Sequence, residues 1–310
     1  MKTNQLLRKA IIGTFALMFI IASGCKKDKV SETPDTSSMQ QLAKDEVAVE
    51  AASDEALNDA NDYLSSNSSK QMSSLPCGAT IDSTNVVNDT ITYTVTFNGL
   101  NCAGNRLRQG TALIKKHINT HWAVANTSVT VTLINFKVTR VATGKWVIIN
   151  GTKTFKNVSG GLVCQLGNGT VTSVVHEITG TVNVTFEDNT TRTWQVARRR
   201  TFSGTQGQLI VTHEGFGAAN GYSNLVTWGV NRHGENFYTQ IIQGVVFKQT
   251  CGWDPCAGVR KHSIPSDNKE ATLTFGYDDN DQPISGTSCP TKYKVDWVKN
   301  SNSGTLYLPL

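Results

Sequence analysis

The stretch "ITYTVTFNG", residues 91–99, decides the fold: Ile91, Tyr93, Val95 and Phe97 alternate with Thr92, Thr94, Thr96 and Asn98. Successive side chains of a strand point to opposite faces, so this spacing builds one buried and one wet face. The same alternation returns in "TSVTVTL" (127–133), "GTVNVTFED" (180–188), "ATLTFGY" (271–277) and "KYKVDWV" (292–298). Short turn signals suited to hairpins separate the strands: "ATGK" at 142–145, "EDNT" at 187–190, "NRHGEN" at 231–236 and "DDND" at 278–281. No convincing helical period interrupts the run after residue 76, so parallel βαβ units are disfavoured. The predicted fold class is all-β: an antiparallel β meander forming a twisted sheet or sandwich, with a short N-terminal helical segment.

Ahead of the strands the composition changes. Residues 39–66, "MQQLAKDEVAVEAASDEALNDANDYLSS", are rich in Ala, Glu, Asp and Leu, lack Gly and Pro, and place Leu57, Ala60 and Leu64 at spacings of three and four. This predicts one amphipathic helix. Its apolar face is thin and alanine-rich, so it either docks lightly on the body or stands off from it as a stalk. The expected organisation is a signal peptide at 1–24, a flexible tether at 25–38, an acidic helical segment and linker at 39–75, and a β-rich domain at 76–310.

The start of the chain carries an address. Lys2, Arg8 and Lys9 precede an apolar core from Ile11 to Ala22, and Lys26, Lys27 and Asp28 end it. A spanning helix needs about 20 apolar residues, so this is a secretory h-region and not a membrane span. "IASGC" resembles a bacterial lipobox, with Ala22 where Leu, Val or Ile is usual, which makes Cys25 the expected lipid attachment point. Each buried methylene of an acyl chain contributes about 0.8 kcal/mol, so several chains hold the protein on the membrane. By resemblance to lipoprotein sorting in Gram-negative bacteria, Lys26 in place of Asp points to the outer membrane, its face left open.

Charge is divided along the chain, whose formal net charge is +5. Between Lys26 and Ser65 four lysines stand against ten acids; from Ser66 onward there are 22 basic and 14 acidic residues. A mildly basic body of this size has a weak field, which disfavours nucleic acid and leaves anionic glycans, lipid head groups or another envelope protein as partners, the oligomeric state being open. Besides Cys25 there are six cysteines, Cys77, Cys102, Cys164, Cys251, Cys256 and Cys289, an even number suited to as many as three disulfides in an oxidising compartment. Cys77 with Cys102 is the pair expected first, because the two flank the first strand closely. Cys251 with Cys289 is a guess among the remaining four. "CGWDPC" lacks the close spacing of a zinc site, and no metal or other cofactor is expected.

The order of landmarks "CGATID", "ITYTVTFNGLNCAGNRLRQGTALI", "GTVNVTFEDNTTRTWQVARRRTF", "GVNRHGENFYTQI" and "ATLTFGYDDNDQPISGTSC" resembles a family of uncharacterised β-rich lipoproteins of Bacteroidota-type bacteria. The resemblance covers nearly all of the chain after Leu75. Asp279, Asn280 and Asp281, and Cys289 followed by Pro290, depart from that family's usual Gly-Asp-Gly and Cys-Asp tail. It implies a lipid-anchored β body and brings no activity.

Residues able to do chemistry are scattered. "GYSNL" is half of a nucleophile elbow, and "HEITG" and "HEGFG" lack the second histidine of a zincin. His117 and His121 read as surface residues beside Trp122. Glu177, Glu187, Glu214, Glu235 and Asp254 have no spacing that forces two carboxyl groups to flank a bond. Asp278, Asp279 and Asp281 lack the Gly and distal Glu of a calcium loop. No catalytic residue is assigned, and a non-enzymatic role is expected. The densest positive cluster, "QVARRRTF", puts Arg198 and Arg200 on one strand face with Trp194, and Arg199 on the other. It predicts either a strand's exposed end or an anion or glycan site of Arg198, Arg200 and Trp194 formed with a neighbouring strand. The six tryptophans read chiefly as core. Two roles remain from sequence: an envelope protein that binds a partner or has a structural part, and a carrier of lipid or apolar ligand in an open half-barrel lidded by the helix.

Overall fold

The computed structural model describes residues 37–69, 76–286 and 288–310. The expected signal peptide, most of the tether with Cys25, and the linker at 70–75 lie outside the described residues. The one α-helix among the described residues, α1 (Ser37–Ser69), extends the expected 39–66 by a few residues at each end. At 1.5 Å per residue its 33 residues run about 50 Å. Fifteen strands follow: β1 (Ala79–Val87), β2 (Thr90–Leu100), β3 (Arg106–His117), β4 (Thr127–Arg140), β5 (Trp146–Asn157), β6 (Ser173–Phe186), β7 (Thr191–Ser203), β8 (Ile210–Gly215), β9 (Gly217–Ala219), β10 (Tyr222–Val230), β11 (Asn236–Lys248), β12 (Pro255–Ile264), β13 (Lys269–Tyr277), β14 (Lys292–Lys299) and β15 (Asn302–Pro309).

They form one antiparallel sheet in the order β1-β2-β3-β4-β5-β6-β7-β10-β11-β12-β13-β14-β15. The meander is interrupted once. Both β8 and β10 lie between β7 and β11, at different heights, and β9 pairs with β10 as a hairpin arm at the break. The β1–β2 turn is tight: Asn88 and Asp89 both have positive φ, as a two-residue primed turn requires. Each of the five strand stretches read from the sequence falls in a strand, except that Glu187 and Asp188 at the end of "GTVNVTFED" belong to the β6–β7 turn, and the fold is all-β with an N-terminal helix.

The sheet curls. Arg106 on β3 pairs with Glu55 of the helix, and Arg260 on β12 pairs with Glu50. Those strands are seven positions apart, about 34 Å on a flat sheet at 4.8 Å per strand, whereas a helix is about 10–12 Å across. Both walls reach the same turns of α1 only if the sheet folds round it. Glycines in mid-strand make the bend possible. Gly151 (φ +139°) and Gly180 (φ +155°) sit where a Cβ would come within 2.4 Å of a carbonyl on the neighbouring strand. Among the described residues no ladder joins β1 to β15, so the sheet is an open trough and not a closed barrel.

The helix therefore neither docks lightly nor stands off as a stalk. It lies along the concave face, and its Leu42, Val49, Ala52, Ala56, Leu57, Ala60 and Leu64 join the main core with Val95, Ile114, Val131, Phe155, Ile178 and Trp194 of the sheet. These helix positions recur at three and four, one stripe facing the sheet. Alanine along that stripe is a condition of close approach, since longer side chains would hold the helix off the sheet. The helical segment and the β-rich region, successive pieces in the sequence, thus belong to one compact unit, Pro34–Leu310.

Among the described residues two disulfides are present, Cys77–Cys102 and Cys251–Cys289, with Cα separations of 5.1 and 5.4 Å. Cys164 (exposed) and Cys256 (buried) are free thiols, so two of the three conceivable bridges form. Both bridges lie within the sheet region.

Candidate functional site: a cationic trough holding an acidic helix

The concave face is not uniformly apolar. The alternation that buries Val174 and Ile178 also buries His176, and the one that buries Trp194 carries Arg198 and Arg200 inward with it. Cross-strand register then assembles a row: Asn157 on β5 faces His176 on β6, which faces Arg200 on β7, which faces His213 on β8. Lys153 lies opposite Gly180, whose missing side chain leaves room for the lysine stem. On the far wall Arg260 and His262 are buried in phase with Ile264, and on the near wall Arg108 is buried at the end of β3.

Nearly every one of these groups meets the helix. On one flank, the i, i+4 series Glu46, Glu50, Asp54 and Asn58 faces β7, β8, β11 and β12. Glu46 accepts from Thr239 at 2.8 Å and lies 2.7 Å from His262 Nδ1. Glu50 binds Arg198 and lies 3.3 Å from His213 Nδ1 and 3.4 Å from Arg260 Nη2. Arg198 spans to Asp54 with its second terminal nitrogen. Arg200 donates to the amide oxygen of Asn58 at 3.1 Å, with the Asp54 carboxylate at 3.7 Å. On the other flank, Glu55 takes Arg106 at 2.7 Å and Asp59 takes Arg108 at 2.6 Å. Between them, Lys153 donates to Ser53. At one end Arg232, in the β10–β11 turn, grips Asp45 with two nitrogens at 2.7 and 2.8 Å, and toward the other Trp122 Nε1 donates to Asn61 at 3.0 Å.

Burial and charge compete at each group. Burial alone would push the Glu50 carboxyl up, but Arg198, Arg260 and His213 outweigh it and hold it well below the usual carboxylate range. Asp59 goes the other way: burial raises it to about 6 in spite of Arg108. Burial, with Arg198 nearby, brings Lys153 down to about 8, and burial with some help from Arg198 against the pull of Asp54 brings Arg200 to about 10. His176, enclosed by Trp122, Phe155 and Phe202 and repelled by Arg200, falls to about 3 and is neutral. Arginine planes also lie over rings of the trough, Arg108 over Phe97 at 4.9 Å and Arg200 over Phe155 at 5.6 Å.

The pairing is incomplete. Among the described residues, Arg200 Nε and Nη2, Arg198 Nε, Arg260 Nε and His262 Nε2 are buried without a hydrogen-bond partner. A crevice bordered by Glu46, Glu50, Lys153 and Arg198 has about 20 Å³ for water, room for one molecule.

The sequence-derived candidates fall out as follows. Trp194, Arg198 and Arg200 do share the concave face, in the middle of the sheet and not at an exposed strand end, and the partners of both arginines come from the helix and not from a neighbouring strand. Arg199 points outward to Glu177 at 2.7 Å. His117 and His121 are exposed, but Trp122 beside them is core. Glu187 pairs with Arg232 and Glu235 with Lys269, while Glu214 and Asp254 are exposed. Asp278 closes its own turn by accepting from the backbone of Asn280 and Gln282, and Asp281 pairs with Lys292. No group of three or more metal-ligating side chains converges among the described residues. The residues missed were Arg108, Lys153, His176, His213, Arg260 and His262. Their signal was present: each of His176, Lys153 and His262 sits in phase with apolar neighbours such as Ile178, Phe155 and Ile264.

Comparison with family models, with curated proteins and with solved structures finds no match to this chain.

Proposed function

We propose that the protein is a lipid-anchored cell-envelope protein with a non-enzymatic binding role, held at the outer membrane through Cys25, in which the curled sheet is the binding element. The observation that carries the binding reading is the concentration of buried Arg, Lys and His on one concave face, matched by acids of a single helix. Carboxylates of that interface are each engaged with a cation or a histidine, an arrangement suited to holding an anionic surface. The lipobox-like "IASGC", the basic start and the resemblance to β-rich lipoproteins support the anchor.

The test is acyl labelling of growing cells with an alkyne analogue of palmitate. Wild-type protein takes the label and fractionates with membranes; Cys25→Ala takes none and becomes soluble. Labelling that survives Cys25→Ala would refute the anchor. Protease treatment of intact cells carrying an epitope after Leu310 then reads the face: cleavage without permeabilisation places the body outside.

A second reading, a carrier of lipid or apolar ligand, is favoured by one observation: α1 covers the concave face of an open sheet whose core there includes Val131, Ile149 and Leu273. Organic extraction of purified protein followed by mass spectrometry tests it. A stoichiometric amphiphile supports the carrier, and its absence from protein purified without detergent removes it.

A further inference from the structure

We infer that the trough is a docking site for an acidic amphipathic helix carried by a partner protein, and that α1 is its resident occupant, competing for it in cis. The inference rests on the reading of the sheet as a binding element and is independent of the anchor.

The first argument is distribution of charge. The cations that need compensation extend from Arg108 on β3 to Arg260 on β12, and a lipid with a single head group would meet one or two of them. Leaving the others buried without a counter-charge is costly. A helix with carboxylates at spacings of three and four and alanine between them meets most of them, as α1 demonstrates at Arg106, Arg108, Arg198 and Arg260. The second argument is that the fit of α1 is deficient at an identifiable place. In the series Glu46, Glu50, Asp54, Asn58 the fourth member is an amide, and there Arg200 keeps two buried nitrogens without a partner among the described residues. An occupant with a carboxylate at that position would supply a charge-assisted, two-pronged bond that α1 lacks. The third is the nature of the hold. A buried ionic interface adds little net stability beyond an apolar one of the same shape, yet an occupant that lacks one of the matching carboxylates leaves a cation buried without its partner, which is costly. Neither disulfide ties α1 to the sheet, since Cys77–Cys102 and Cys251–Cys289 both lie within the sheet region.

The probe is a fluorescein-labelled synthetic peptide of residues 39–66, made in three forms: unmodified, Asn58→Glu, and a form with Glu46, Glu50 and Asp54 replaced by their amides. Each is titrated by fluorescence anisotropy into the mature full-length chain and into a chain with a loosened resident helix (Glu50→Gln, Asp54→Asn). The Asn58→Glu peptide is expected to bind at least about tenfold more tightly than the unmodified one, to weaken as salt rises, and to bind the loosened chain more tightly than the wild type. Should the loosened chain fail to fold, the wild-type chain alone decides through the ranking of the three peptides. A resident Asn58→Asp substitution should weaken peptide binding, because it improves the cis competitor. Equal affinity for the acidic and amide peptides would overturn the inference, as would no binding to folded wild-type and loosened chains. Chain dimers that exchange α1 and exclude the peptide would overturn it in favour of a second copy as occupant. Failure of acyl labelling would leave these titrations untouched, so the two readings fail separately.

Discussion

Three consecutive arginines on β7 make the most informative comparison in the molecule. Arg198 and Arg200 point into the trough and are almost fully buried, while Arg199 between them points outward, its side chain 42% exposed. All three lie beside carboxylates. Inside, each guanidinium has been stripped of water and depends on what α1 offers it; outside, Arg199 can exchange Glu177 for solvent at little cost. The same residue type, one step apart in sequence, is therefore structural on one face and nearly neutral on the other, because burial sets how much a missing partner costs.

The largest effect should come from breaking the inner face at its centre. Glu50 is shared by Arg198, His213 and Arg260. Its replacement by Ala leaves a buried arginine with one remaining carboxylate, and removing one partner of a buried ion pair costs about 3–5 kcal/mol. Urea unfolding of Glu50→Ala should show that loss, together with proteolysis within α1 at protease levels that leave the wild type intact. A loss under 1 kcal/mol would mean the helix is held by its alanine stripe alone.

Acid should sharpen the contrast next. His176 has its folded pKa lowered from 6.5 to about 3. The unfolded chain takes up that proton below pH 6.5 and the folded chain does not, so the stability it contributes is present above pH 6.5 and is lost as pH falls toward 3. The slope approaches about 1.4 kcal/mol per pH unit, about 2 kcal/mol by pH 5. Asp59, raised from 3.8 to about 6, acts with the opposite sign, its contribution growing as pH falls through 6 toward 3.8. The wild type's acid limb is thus partly masked. Subtracting the stability profile of His176→Phe from that of the wild type isolates the histidine, and a flat difference between pH 6.5 and 4 would show that His176 accepts a proton in the folded state.

How much of this was legible follows from the same face-by-face logic. Period two alone marked five of the strands, and turn signals such as "EDNT" at 187–190 marked hairpins between strands, so an antiparallel meander could be read in outline, though not its break at β8 to β10. Curvature entered only through the carrier alternative, as an open half-barrel, and what causes it could not be read. It depends on glycines such as Gly151 and Gly180 falling on adjacent strands, and adjacency is a property of the register and not of either segment. The trough was half visible. Arg198, Arg200 and Trp194 were placed together on one face, but their partners lie about 140 residues earlier in a segment whose thin apolar stripe suggested loose docking. Acids on a helix ordinarily mark its solvent side; here Glu46 and Asp45 are buried, because an arginine or histidine waits opposite each.

Lys153 offers a smaller and opposite test. It is buried with Ser53 as its hydrogen-bond partner, and burial brings it down to about 8. Its charged form is disfavoured by folding, so Lys153→Met, which keeps the stem and removes the ammonium, should be neutral or stabilise by about 1 kcal/mol at pH 7. The advantage should shrink as pH rises from 8 toward 10.5, where the wild type's folded state has shed the proton and no longer bears the charge. A loss of 2 kcal/mol or more in urea unfolding would show that the ammonium is anchored more firmly than its single bond to Ser53 implies.

The smallest effect belongs to Arg199. An exposed pair with Glu177, backed by Phe216 lying 5.8 Å beneath the guanidinium, is expected to contribute about 0.2–1 kcal/mol. A double-mutant cycle of Arg199→Ala and Glu177→Ala should return a coupling in that range, reduced by added salt, with the peptide affinities of the trough unchanged. If Arg199→Ala instead matched Arg198→Ala in cost, burial would not be what separates the two faces of β7. The difference would then have to lie in the strand itself, and the trough would lose its claim to be a place where charge is held differently from the rest of the surface.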